Sequence, residues 1–272
     1  QGDINSYYVW SKSSMEPEEL HGRFAYSLSQ SQKDISVDWL RNGSLFGETE
    51  GFMLAIQDQA ITTRNHLKYI QKVNIPDDKC RLCHQVSETI AHITSGCTNL
   101  ANTEYLFRHN QVCKIIHQLL AHKYKFIDSL VPYYKYEPQT VLESRSTRLY
   151  WDRPIVTDKT ILANKPDITV FDLENKTAKI IDIKIPSDHN LFSSETEKIV
   201  KYNDLAIELK KIYNLKAIDI IPIVISCNGL LSKNFNKFIS KLDLPPYIYK
   251  EIQKTVILDT CRFVRKVLNM TD

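Results

Sequence analysis

The sequence predicts an α/β chain: a mostly helical first part, then a compact Cys/His cluster, then short β-rich runs alternating with amphipathic helices. Three observations carry this expectation. "PDITVFDL" and "TAKIIDIKI" are β-rich runs joined by Glu174-Asn175-Lys176, a turn-forming triplet. "IDIIPIVISC" is a nearly continuous apolar run, the pattern of a buried strand reached by a helical crossover. Between them, "SSETEKIVKYNDLAIELKKIY" has helical spacing.

In chain order, the opening "QGDINSYYVW" has no initiator Met and reads as a cut from something longer. Residues 1–75 read as mostly helical. Within them Phe52, Leu54, Ala55, Ile56, Ile61, Leu67 and Ile70 recur at loosely helical spacing. The basic end of that run carries Arg64, His66, Lys68 and Lys72, and Arg64 and Lys68 are candidate nucleic-acid contacts beside the plainer reading of a solvated helix end. Pro76 and two aspartates mark a boundary near Ile75, and residues 76–99 hold the cysteines. In "TEYLFRHNQVCKIIHQLLAHKY", Leu106, Val112, Ile115, Ile116, Leu119 and Leu120 mark one face of a helix. A Pro- and Tyr-containing segment, 131–141, separates it from the strands, and the α/β pattern begins at Trp151. Ser194 with Glu197 forms a capping box, so the next helix is expected to start there. Pro222 gives its strand an edge position or a bulge. Helices near 232–242 and 247–268 close the region.

Composition limits partners more than it names them. Apolar content of 43% and charged content of 25% are ordinary for a globular chain. No apolar run reaches the roughly 18 residues of a membrane span, so no membrane partner is expected. A net charge of +3, from 35 basic and 32 acidic residues, is too small to mark a nucleic-acid binder unless it is concentrated locally. The six cysteines do not form an even disulfide framework; they fit a reducing compartment and one metal site.

That site is "CRLCHQVSETIAHITSGC", spaced C-x2-C-x8-H-x4-C. Cys80 and Cys83 can chelate one ion from a single turn, and His92 and Cys97 complete a tetrahedral set suited to Zn²⁺. Four protein ligands leave no place for water, so the role is structural. His84 is the rival nitrogen ligand, but it adjoins Cys83 and would strain the chelate.

The second constellation is the hairpin "KPDITVFDLENKTAKIIDIKIPSD". Alternation puts Asp182 and Lys184 on one face, with Ile181, Ile183 and Ile185 toward the core. A two-residue Glu174-Asn175 loop sets Asp167 opposite Asp182, and a four-residue loop sets it opposite Lys184. Either register brings the carboxylates within roughly 5 to 8 Å, where they repel unless a cation lies between them. Mg²⁺, or Mn²⁺ in its place, suits two carboxylates plus phosphate and water. Lys184 beside them can orient water and stabilise charge on a phosphate. The plain alternative is a solvated hairpin face.

Taken together these motifs resemble a family. The Pro-Asp, the β-turn-β, D-x-K and a following helix form the PD-(D/E)XK nuclease pattern. The whole chain is similar to the C-terminal region of non-LTR retrotransposon polyproteins that carry a restriction-like endonuclease. "DWLRNGSLFGETEGFMLAIQDQAI" resembles the linker, the cysteine cluster a CCHC zinc knuckle, "RHNQVCKIIH" the helix opening the nuclease, "KPD…DIK" the catalytic hairpin, and "EKIVKYNDL" the helical K-x-x-K-Y motif. The resemblance implies an α-β-β-β-α-β nuclease core over 100–272, behind the knuckle and linker. It implies Asp167 and Asp182 as magnesium ligands, with Lys184, Lys198 or Lys201 positioning water and stabilising the transition state. Arg108 and His109 would contact phosphate or simply start a helix. Lys201 is expected to reach the site on a helix whose Val200, Ala206, Leu209 and Tyr213 face the sheet, with Lys198 a weaker phosphate contact. The implied activity is nicking of chromosomal double-stranded DNA in the nucleus, to prime reverse transcription of the element's RNA by an upstream reverse transcriptase domain. Two other readings stay open: a nucleic-acid-binding module with a degenerate or domesticated nuclease fold, and a Holliday-junction-resolvase-like nuclease.

Overall fold

The computed structural model describes residues 23–269; the first 22 residues of the expected linker region lie outside them. The architecture is α/β, built on a five-stranded mixed sheet in sequential order. The N-terminal helices are α1 (Arg23–Gln30), α2 (Lys33–Ser36), α3 (Asp38–Asn42), α4 (Gly47–Gln57) and α5 (Arg64–Tyr69). The cysteine segment follows, with a π-helical turn at His92–Gly96, then α6 (Thr98–Leu100) and α7 (Leu106–Lys123). The strands are β1 (Val141–Glu143), β2 (Thr147–Trp151), β3 (Ile168–Asp172), β4 (Thr177–Lys184) and β5 (Ala217–Val224). Helix α8 (Leu191–Ile212) connects β4 to β5, and α9 (Phe235–Leu242) and α10 (Ile248–Leu268) follow. Among the described residues, no helix is long and apolar enough to cross a membrane.

The first four strands pair antiparallel, and β5 joins β4 in parallel. Alternation along them feeds two cores. Leu149, Ile168, Val170, Ile181, Ile183, Ile221 and Ile223 meet α7, α9 and α10 on one face. Phe171, Ala178 and Ile180 meet Tyr202, Leu205, Ala206 and Leu209 of α8 on the other. The hairpin is therefore covered on both faces and is not a solvated surface. Pro222 lies on an edge strand, opposite Asp182, where its missing N–H is tolerated.

Several expected boundaries shift. The strands begin at Val141, and Trp151 ends β2 where the α/β pattern was expected to begin. Helix α8 starts three residues before Ser194, at Leu191, which is buried with Phe24, Val224 and Leu230. The Ser194 hydroxyl donates to the Asn190 carbonyl at 2.5 Å and caps no N–H. Leu106, expected on the apolar face, is half exposed because α7 begins with it beyond the core. Val200 is 69% exposed, while Tyr202 and Leu205 fill the place expected for it against the sheet.

The N-terminal helices, the cysteine segment and the C-terminal helix share one core. Trp39, Met53 and Ile56 pack with Cys80, Ile90, Ile93 and Cys97 against Ile257, Cys261, Phe263, Val264 and Val267. Gln253 Nε2 donates to the carbonyls of Ser36 and Gly229 at 2.9 and 2.7 Å, which ties α2 to α10.

Candidate metal centre and carboxylate site

The ligand-bearing atoms of Cys80, Cys83, His92 and Cys97 all lie within 4.8 Å of one another, so the four can hold a metal ion such as zinc. Cys80 Sγ is 3.9 Å from Cys97 Sγ, and Cys83 Sγ is 3.4 Å from His92 Nε2. Tetrahedral ligation with Zn–S bonds of about 2.3 Å sets sulfurs about 3.8 Å apart, the spacing the Cys80–Cys97 pair already has. The turn closes because His84 takes a left-handed φ of 54° and donates its N–H to the Cys80 carbonyl at 2.8 Å. That geometry leaves His84 exposed, outside the ligand group. Burial, then the neighbouring Cys80 sulfur, pushes the Cys97 thiol up to about 11. Burial lowers the His92 pKa despite Glu88, which favours the neutral imidazole a metal needs.

A fully buried carboxylate braces this turn. Glu88 accepts from Arg81 Nε and Nη2 at 3.0 and 2.9 Å, and from the N–H groups of Arg81 and Arg64 at 2.8 and 3.0 Å. The Tyr105 hydroxyl donates to the Ile93 carbonyl at 2.7 Å and accepts from the Cys97 N–H at 3.0 Å. Two basic residues singled out in the sequence are also engaged here. Arg64 Nη1 donates to the Lys79 carbonyl at 3.2 Å, and Lys68 Nζ to that of Pro76 at 3.2 Å. Both side chains hold the segment's base in place.

The carboxylates form a separate site at one end of the sheet. Ile168 pairs with Ile181, so Asp167, one residue earlier, falls opposite Asp182. This is the register expected of a two-residue Glu174-Asn175 loop, although pairing ends at Asp172 and Thr177, so that four residues, Leu173 to Lys176, make the turn. It is held by the Asp172 carboxylate, which accepts from the Asn175 N–H at 2.9 Å, and by a positive φ at Lys176. Asp182 is only 2% exposed. Its Oδ1 accepts from the Tyr202 hydroxyl, and Lys198 Nζ lies 2.6 Å from its Oδ2. Lys201 Nζ is 3.9 Å from Oδ1 and donates to the Tyr202 oxygen at 2.9 Å. Lys184 shares the strand face but is drawn off to Glu197 Oε2 at 2.5 Å. The order of closeness is thus Lys198, Lys201, Lys184. One helical turn separates Lys198 from Tyr202, so both overhang the same carboxylate.

Asp167 is held from the opposite side of the sheet. His109 Nε2 is 3.1 Å from its Oδ2 and 3.2 Å from the Ile183 carbonyl, and the Ile183 N–H donates to Oδ2 at 2.6 Å. Burial raises the Asp167 pKa, but the His109 bond and charge outweigh it, and the net direction is down. For His109, burial lowers the value; the Cys113 sulfur and Asp167 reverse this, and it rises. Asp182 moves up, through burial and then the Asp167 charge, with Lys198 and Tyr202 opposing. Burial, then the Lys198 charge, pulls the Lys201 ammonium down.

Arg108 requires a correction. It is 1% exposed, donates to Thr260 Oγ1 at 2.8 Å and the Thr94 carbonyl at 3.1 Å, and lies between the Tyr105 and Phe263 rings. A guanidinium so enclosed has no face for phosphate. Tyr202, Glu197 and Cys113 were not expected among the contacts of this site. The i,i+4 spacings Lys198–Tyr202 and His109–Cys113 were the available signal. No protein-family model matches the chain, and no curated protein matches it.

Proposed function

We propose that the chain is a Mg²⁺-dependent DNA endonuclease of the PD-(D/E)XK type, preceded by a zinc knuckle and a helical linker. The observation that carries this reading is the buried Asp182 carboxylate opposite Asp167, with the Lys198 ammonium at 2.6 Å and Lys201 behind it. The order α7, β2, β3, β4, α8, β5 has the α-β-β-β-α-β succession of such a core, with β1 as an additional edge strand.

The donor set fits a divalent cation. Asp182 Oδ2 is buried without a directed hydrogen bond, and the bonds to Asp167 fall on Oδ2 alone. Asp167 and Asp182 would hold Mg²⁺, which when bound polarises the scissile phosphate and neutralises its developing charge. Lys198 balances the two carboxylates beforehand and lies where an attacking water or a phosphate oxygen would need a donor. Tyr202 fixes the Asp182 rotamer, and His109 fixes that of Asp167. The substrate is duplex DNA, nicked to free a 3′ end that primes reverse transcription of an element RNA.

The test is single-turnover nicking of a linear duplex with and without Mg²⁺. Asp182→Asn should abolish cleavage and retain duplex binding. Lys198→Ala should slow cleavage about 10²- to 10³-fold, the cost of losing one charge-stabilising donor. Mg²⁺-independent nicking, or binding lost in step with cleavage, would overturn the reading.

A further inference from the structure

We infer that His109, Cys113 and Asp167 form a second, inhibitory site for a thiophilic divalent cation, Zn²⁺, at the edge of the carboxylate site. The inference rests on the nuclease reading only for its inhibitory consequence. The ligand atoms of these three residues all lie within 4.8 Å of one another. His109 Nε2 is 3.1 Å from Asp167 Oδ2, and Cys113 Sγ is 3.8 Å from the same nitrogen. Tetrahedral zinc, with bonds of about 2.0–2.3 Å, sets such N···O and N···S pairs roughly 3.4–3.6 Å apart, so these two pairs already lie within a few tenths of an ångström of ligand spacing.

The scaffold is rigid where it matters. His109 and Cys113 are one turn apart on an 18-residue helix, and the Ile183 N–H fixes Asp167. The sulfur is buried, whereas the His109 and Asp167 side chains are 24% and 20% exposed, leaving a path for the ion and a fourth position for water. The chemistry separates this site from the one beside it. Thiolate, imidazole and carboxylate together select zinc, whereas Mg²⁺ takes oxygen donors only. On ligation the thiol proton and the Nε2 proton leave to solvent, so the bonds formed are S–Zn, N–Zn and O–Zn. Zinc held there uses Asp167 and takes it from the Asp167–Asp182 pair.

The test titrates the full chain, already loaded with zinc at the four-ligand cluster, with Co²⁺. One further equivalent should bind with a thiolate-to-cobalt absorption band. Cys113→Ser preserves side-chain volume and should lose the band. Its affinity should fall by more than the roughly 10- to 100-fold typical of disturbing an outer-shell partner. Asp182→Asn should keep both. No further equivalent, or an unchanged band in Cys113→Ser, would overturn the site. A second arm adds one equivalent of Zn²⁺ to nicking assays in Mg²⁺: wild type should stop and Cys113→Ser should not. Binding without inhibition would keep the metal site but overturn its inhibitory role and tell against Asp167 in cleavage.

Discussion

Arg108 and His109 are neighbours in sequence with opposite fates, because successive helix positions point about 100° apart. Arg108 enters the core shared by the cysteine segment and α10, and His109 reaches Asp167. Arg108→Ala leaves a cavity and two unpaired acceptors, and should destabilise the fold by about 3 kcal/mol. Arg108→Met fills the space without a buried charge and should cost clearly less. Urea midpoints check both, and the salt dependence of duplex binding should not change in either. A second residue reports on pH. His117 is fully buried, shares a 2.8 Å hydrogen bond with the Tyr136 hydroxyl, and burial pushes its pKa down to about 4. A depressed histidine contributes stability that is full above its unfolded value near 6.5 and is lost as pH falls toward 4. The loss should approach roughly 3 kcal/mol. In zinc-saturated samples, His117→Gln should lack this part of the slope between pH 6.5 and 4.

Among the elements, the turn after β5 requires glycine for both its backbone angle and its space. Gly229 has a φ of 87°, and an added Cβ would lie 3.2 Å from Ile257 Cδ1. Ser226 Oγ accepts from the Leu230 N–H at 3.0 Å, so the turn cannot relax cheaply. Gly229→Ala should cost about 1–2 kcal/mol, read as a lower denaturation midpoint with unchanged secondary structure. The same scale explains what the sequence revealed. The shared face of Asp167 and Asp182 was legible, because both turns expected around Glu174-Asn175 keep the same parity and a period of two then fixes the face; whether Asp167 lies opposite Asp182 or Lys184 was not. The edge position of β5 was one of the two readings of Pro222, the other being a bulge. Strands β1 and β2 were not legible: in "VLESRSTRLYW" six successive polar residues, Glu143 to Arg148, interrupt the apolar ones, so no period of two shows, and β1 is only three residues long. Nor was the burial of Arg108, because its partners Thr94 and Thr260 are remote in sequence and nothing local announces them.

At the level of the whole molecule, the cysteine segment is part of a core and not an appendage. Ile90, Ile93, Cys80 and Cys97 pack with α4 and α10, and Arg81 Nη1 donates to the Leu268 carbonyl at 3.1 Å, capping α10. Loss of the metal should therefore not stay local. Cys80→Ser should abolish zinc binding at the cluster. At free zinc a thousand times Kd this would remove about 4 kcal/mol of stabilisation. Hydrogen exchange should show residues 76–99 and 256–268 losing protection together, with the β3–β4 hairpin less affected. Protection lost only within 76–99 would mean the two parts are separable. The linkage also imposes an order on synthesis. The Ser36 carbonyl meets Gln253, and Trp39, Met53 and Ile56 meet Ile257, Cys261 and Val264 of the last helix. A ribosome releases those partners more than two hundred residues later, so the early helices must wait, unclosed, while the hairpin forms from neighbouring sequence. Stop codons within the last helix should thus leave the beginning of the chain, not its middle, open to proteases.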